Sequence, residues 1–134
     1  MARRVSIHIP GFRHANPIPA ASRIGNLLVS GGIHGMDPAT GKTAESLEDQ
    51  LRFMFQHVRA VMDAAGGSPD DIIKFAVTMT DRAQRPALNV EWLKMFPDEH
   101  SRPARHTSEG NLSPGMLVQC DIMAVIDEHA PKPR

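Results

Sequence analysis

Arg105 sits in Arg-Pro-Ala-Arg-His (102 to 106), a run that reads as a strand. A strand arginine is commonly a surface ion-pair partner. Turned into a cleft, its planar fork suits a carboxylate held by two parallel hydrogen bonds. Gln119 and Asp121 are the second feature, two polar residues in an otherwise apolar run. Their spacing puts them on one face of a strand with Met123 and Val125. A buried amide or carboxylate costs free energy unless bonded, so the pair either closes an internal network or lines a wet pocket. The third feature is Ser30-Gly31-Gly32-Ile33-His34. Its glycines read either as a bulge with tight packing or as backbone presented to a ligand.

Other chemistry finds little support. The chain has no Walker loop, dinucleotide-binding glycine pattern, His-Glu-x-x-His or nucleophile elbow. His8, His14, His34, His57, His100, His106 and His129 lack ligand-like spacing, so no metal site is expected. Cys120 is the single cysteine, which excludes an intrachain disulfide and a cysteine zinc motif and reads as a small core residue. Fifteen Lys and Arg balance fifteen Asp and Glu, so the broad positive field that nucleic-acid or membrane-surface binding needs is missing. No run approaches the roughly 20 apolar residues of a membrane span, and the alternating Val5 to Pro10 is not a signal-peptide core. A cytoplasmic protein is expected.

The elements that must position these residues follow from periodicity. At 134 residues the chain fits one domain, residues 1 to 134. With eight Met, no Tyr and 4% aromatic residues, its core is expected to be aliphatic and thioether, not aromatic. Residues 3 to 9 alternate as a first strand, 11 to 26 read as an ordered loop leading into a hairpin turn, and 27 to 35 read as a buried strand. Asp37 to Gly41 form a turn. Leu47, Leu51, Met54, Phe55, Val58, Val61, Met62 and Ala65 make one apolar face of a helix over 46 to 65, with Ser46 and Asp49 as a capping box and Gly66-Gly67 as its stop. A strand over 71 to 80 points Ile73, Phe75, Val77 and Met79 to one side. Asp81 caps a second helix with Pro86 in its first turn and Leu88, Trp92, Met95 and Phe96 on one face. Strands at 104 to 109 and 116 to 127 flank a Ser113-Pro114-Gly115 turn. The result is an α/β (α+β) two-layer domain, a mixed sheet with two helices on one face. The other face needs cover, and oligomerisation supplies it.

At these residues the chain resembles the Rid (YjgF) family of imine and enamine deaminases over nearly its whole length. The ordered landmarks are Gly25 to Gly31, Asp37 to Gly41, Ala64-Ala65-Gly66, Asp71 to Lys74, Asn89, Arg102 to Arg105 and Leu112 to Val118. The resemblance implies a chorismate-mutase-like fold, a homotrimer with clefts between subunits, no cofactor, and a small carboxylate substrate. It assigns carboxylate binding to Arg105, with Thr107 and Gly31 completing the pocket, and counts Asn89 and Ile18 among the substrate-binding positions. The family's water-positioning glutamate corresponds to Gln119, and a family tyrosine to Ile18, after Asn16-Pro17.

The implied reaction is hydrolysis of a 2-imino or enamine acid to ammonia and a 2-oxo acid. It needs a held carboxylate, a water aimed at the C=N carbon and proton transfer towards the departing nitrogen. Gln119 orients water but takes up no proton, so the candidates for a base are Asp121, Glu109, His34 and His106, with positioning alone as the alternative because a protonated imine is already reactive. Alternatives with the same fold are a hydrolase for an aminomuconate-like enamine, suited by the apolar Ile18, and a non-catalytic carboxylate-binding protein. The ribonuclease role attached to the family fits poorly with neutral charge and few aromatics.

Overall fold

The computed structural model describes residues 3–127, so His129 lies outside the described residues. In chain order the elements are β1 (Val5–Ile7), β2 (Ala21–Ile24), β3 (Leu27–Ser30), β4 (Ile33–His34), β5 (Met36–Asp37), β6 (Lys42–Thr43), α1 (Leu47–Ala64), β7 (Ile72–Met79), α2 (Arg85–Met95), β8 (Ala104–Glu109) and β9 (Val118–Val125). The strands order as β1-β2-β3-β9-β7-β8, with β4 beside β9, where it continues the line of β3. Only β7 and β8 are parallel, joined by the α2 crossover; the other pairs are antiparallel. Helices α1 and α2 pack against each other and cover one sheet face. The mixed α+β sheet with two helices is as expected from the periodicity.

Helix α1 forms where its apolar stripe demands. The Ser46 side chain accepts from the Asp49 backbone N–H at 3.1 Å, and Glu48 and Asp49 face the positive end of the helix dipole. Leu51, Met54, Val58, Val61 and Met62 are fully buried. Each such side chain contributes about 1.5–3 kcal/mol relative to exposure. Gly66, at φ 85°, turns the chain out of the helix, and the Arg23 guanidinium donates to the Ala65 carbonyl. Two polar residues share the stripe, Gln50 and His57, both buried.

Several sequence expectations are corrected. The loop over 11 to 26 contains β2, because Gly25-Asn26 makes a hairpin that pairs Ala21 to Ile24 with β3. The strand over 27 to 35 breaks at Gly31-Gly32, and it is one-sided: Leu27 and Val29 are 47% and 43% exposed while Leu28 is buried. A bulge between Ile72 and Lys74 shifts the phase of β7, so Ile72 is buried and Ile73 is 51% exposed, the reverse of simple alternation. Asp81 caps a short 3₁₀ turn at Arg82–Gln84 that precedes α2. The core is not free of aromatic packing either: Phe55, Phe75, Trp92 and Phe96 form one cluster with centroids 4.7–6.1 Å apart. A low aromatic content says how few rings there are, not that they disperse.

Candidate functional site

Strand β8 ends the sheet, and its parallel register with β7 sets Arg105 beside Phe75, Thr107 beside Val77 and Glu109 beside Met79. Phe75, Val77 and Met79 are buried under the helices, so Arg105, Thr107 and Glu109 point to the helix side. The Arg105 guanidinium lies over Trp92 of α2, 4.9 Å from the ring centroid, a cation–π placement that fixes the fork without using its hydrogens. Its Nη1 is enclosed and has no hydrogen-bond partner among the described residues, and the same holds for Thr107 Oγ1. Burial, and then the charge of Arg85, lower the Arg105 pKa from the usual arginine value. Asn89 is half-buried one turn beyond Arg85 and three residues before Trp92, so these three share one flank of α2. The arrangement holds two cations, an unpartnered hydroxyl and a nearby amide, a set suited to an anion. Glu109 is occupied: its Oε1 accepts from the Arg82 backbone N–H at 2.8 Å.

Gln119 and Asp121 lie on the opposite face. Their neighbours Val118, Cys120 and Ile122 are buried, and Asp121, Met123 and Val125 are exposed. Asp121 is therefore solvated, not buried. Gln119 is half-buried and paired with His34 on β4 and Thr78 on β7. Its amide packs on Gly32, where an added Cβ would stand 2.8 Å from Gln119 Cδ. The Gly31-Gly32 break is held by a local network. His14 Nε2 donates to the Gly32 carbonyl at 2.7 Å, and the Gly31 N–H donates to Ala20 at 3.0 Å. Ser30 Oγ donates to the Gly31 carbonyl at 2.8 Å while accepting from the Ile122 N–H at 2.9 Å. The Gly31 N–H is thus committed within the chain. Ile18 is 49% exposed on the loop that also carries His14. His106 faces the same side as Asp121, across Ala76.

One chain therefore brings Arg105, Thr107 and Asn89 together, and separately Gln119, Asp121 and Gly31. It does not bring the two groups together. The structure also reveals a cluster that sequence reading missed: Phe12 packs against His14, His34 and His57 with centroids 5.1, 5.2 and 5.0 Å away. Burial, followed by the charges of His14 and His57, lowers the His34 pKa, and burial lowers that of His57, whose Nε2 contacts the Met36 carbonyl at 2.7 Å. The available signal was the place of His57 on the apolar stripe of α1, seven residues after Gln50. Among the described residues no group of three or more His, Cys, Asp or Glu is arranged to hold a metal ion, and no helix is long and apolar enough to cross a membrane. A surface cleft bounded by Leu47, Glu48, Met79, Asp81 and Gln84 contains none of the expected site residues, and its two carboxylates disfavour an anionic ligand.

Comparison with known proteins bears on the family and the fold. A RutC family protein of Pyrococcus horikoshii is 30% identical over 110 residues, covering 81% of this chain and 86% of its own. The 2-iminobutanoate/2-iminopropanoate deaminase of Salmonella typhimurium is 28% identical over 104 residues, covering 76% and 81%. The crystal structure of RidA from an Antarctic Psychrobacter superposes with a TM-score of 0.84 at 27% identity, covering 91% of this chain and 99% of that one. The family model described as Endoribonuclease L-PSP matches residues 12–126, and with it the chain belongs to the Rid (YjgF) family.

Proposed function

We propose that this protein hydrolyses small 2-imino or enamine carboxylic acids to ammonia and the 2-oxo acid, in clefts formed between copies of the chain. The observation that carries the reading is the unpartnered, enclosed Nη1 of Arg105 beside the unpartnered Thr107 hydroxyl, with no carboxylate paired to Arg105 or Arg85 among the described residues. A substrate carboxylate supplies what these groups lack, through charge-assisted hydrogen bonds of about 1.5–3 kcal/mol each. Trp92 holds the guanidinium plane, and Asn89 lines the same flank of α2. The Salmonella relative is named for this chemistry on 2-iminobutanoate and 2-iminopropanoate, which supports the same substrate class here.

Gln119 contributes as the holder of the attacking water. Because Arg105 and Gln119 occupy opposite sheet faces, a complete site requires the open face of one copy to meet the β8 edge of another. Ile24, Leu27, Val29, Met123 and Val125 are all at least 39% exposed, and strand register places them together on that open face. Such a patch favours association, and three copies is the number the resemblance to the Rid family supports. Light scattering should give a mass near three chains; a monomer at assay concentration removes the shared-cleft site.

The deciding experiment measures ammonia released from 2-iminopropanoate generated in situ by an amino-acid oxidase, against a buffer blank. The protein should accelerate release, and Arg105→Ala should lower kcat/KM about 100-fold, equivalent to ~2.7 kcal/mol of carboxylate binding. Equal rates with the parent and with Arg105→Ala refute the reading. Calorimetric binding of pyruvate without any acceleration assigns the protein instead to carboxylate binding alone.

A further inference from the structure

We propose that His34 is the proton acceptor of this site, so that the Gln119 amide orients the attacking water and the imidazole beside it receives the proton. The inference rests on the deaminase reading above and names the group that replaces a carboxylate at position 119.

The geometry follows from register. Strands β4 and β9 are antiparallel, with Ile33 opposite Cys120 and His34 opposite Gln119. Ile33 and Cys120 are buried against the helices, so His34 and Gln119 point together to the other face. Directly opposed residues have Cβ atoms about 4.5–5.5 Å apart. The Gln119 amide rests on Gly32, two residues before His34 and on the same side of the chain, so amide and imidazole occupy adjacent places. The other candidates are worse placed. Glu109 is on the helix side and bonded to Arg82. His106 is exposed on β8, two strands away from β9, about 10 Å in the sheet plane.

The imidazole is also held in a suitable state. It packs edge-on against Phe12 at 5.2 Å and 74°, and its Nδ1 is enclosed without a hydrogen-bond partner. Proton exchange therefore falls to Nε2. A neutral imidazole with its hydrogen on the enclosed Nδ1 leaves Nε2 as an acceptor. His14 from the loop before β2 and His57 from α1 pack against Phe12 as well, and after burial their charges lower the His34 pKa. From β9, Gln119 is uncharged, and Asp121, two residues along on the same face, is exposed to solvent.

The step balances without a cofactor. Water oxygen bonds to the carbon of the protonated C=N group, the π pair moves to nitrogen, and one water proton passes to His34 Nε2. The imidazolium returns that proton to the amino nitrogen of the tetrahedral adduct. As the C–N bond breaks, the hydroxyl proton passes to His34 Nε2 and from there to the departing ammonia, giving the 2-oxo acid, ammonium and a neutral imidazole.

The test uses the intact protein and 2-iminopropanoate generated in situ, with buffer rates subtracted at each pH. The acceleration should rise with pH to a plateau, with a midpoint below about 6.5, and His34→Gln should lose about 100-fold in kcat with KM changed less than threefold. Gln119→Glu placed in the His34→Gln background should recover at least tenfold by restoring a carboxylate. A profile flat from pH 8 down to the acid limit of the folded protein, which needs no variant to fold, overturns the proposal, as does a His34→Gln rate within threefold of the parent. Either result alongside Arg105-dependent turnover leaves the deaminase reading standing; no Arg105-dependent turnover at all removes both.

Discussion

Replacing Gln50 by Leu tests how the scaffold carries the site. Gln50 is fully buried on α1, and its amide makes three bonds to backbone: Nε2 donates to the Ala44 carbonyl at 2.8 Å and the Gly115 carbonyl at 2.9 Å, and Oε1 accepts from the Leu117 N–H at 2.8 Å. These bonds tie the helix to the segment that enters β9 two residues before Gln119. Leucine removes all three and leaves two carbonyls and an N–H without partners. At about 1 kcal/mol each the loss is ~3 kcal/mol, discounted to about 2–3 because Gly115 lies at the surface, where water replaces the amide. For a chain of this size 1 kcal/mol moves the midpoint by about 4 °C, so Tm should fall roughly 8–12 °C at fixed protein concentration. Gln50→Glu gives an independent sign. It sets a carboxylate against two carbonyls, which raises the folded pKa of that group above its unfolded value. The variant should then be most stable below about pH 4.3 relative to the parent and lose that margin as pH rises. Thermal unfolding followed by circular dichroism reads both. A Gln50→Leu midpoint within 2 °C of the parent refutes the reasoning.

Two glycines flanking β4 and the buried histidines supply further expectations. At Gly35 an added Cβ would stand 2.3 Å from Gln50 Cα, so Gly35→Ala must displace the helix backbone and should cost roughly 3 kcal/mol or more, read as a lowered urea midpoint. At Gly32 the obstacle is the mobile end of Gln119, so Gly32→Ala should cost under about 1 kcal/mol yet reduce turnover about tenfold by moving the amide; unchanged turnover separates Gln119 from the reaction. His34 and His57 have folded pKa values below the ordinary 6.5, so the unfolded chain binds protons more readily. Stability from this source is complete above pH 6.5 and declines as pH falls through the folded values, and urea midpoints at pH 5, 6, 7 and 8 should show the decline, shallower in His57→Gln.

What the sequence made legible was local and periodic. The α1 stripe, its Ser46 cap and its Gly66 stop follow from spacing, and the bounds of β8 follow from the short run between Pro103 and Gly110. What it concealed was phase and pairing. Nothing in Asp-Ile-Ile-Lys marks the bulge that exposes Ile73, because either isoleucine satisfies an alternating pattern. Gln50 and His57 read as interruptions of the helix stripe, although both are bonded to backbone from distant segments that periodicity does not see.

The same limit governs the site. Arg105, Thr107 and Gln119 are recognisable by type and spacing, but facing is a property of register. Row by row the sheet reads Ile122, Phe75, Arg105, then Cys120, Val77, Thr107 on the helix side, and Gln119, Thr78, Ser108 on the other. An arginine and a glutamine on opposite faces of one sheet cannot grip one small molecule. Either they belong to separate functions, or the working unit is larger than one chain. The open face is apolar around Leu27, Val29 and Met123 and polar around Gln119, Asp121 and His34, so a copy seated on the apolar part would leave the polar part at the rim of the contact. An edge strand bearing an unsatisfied guanidinium is the surface suited to meet that rim. On the proposed reading the oligomeric state is a condition of the chemistry: dilution that dissociates the assembly should abolish turnover while leaving each chain folded.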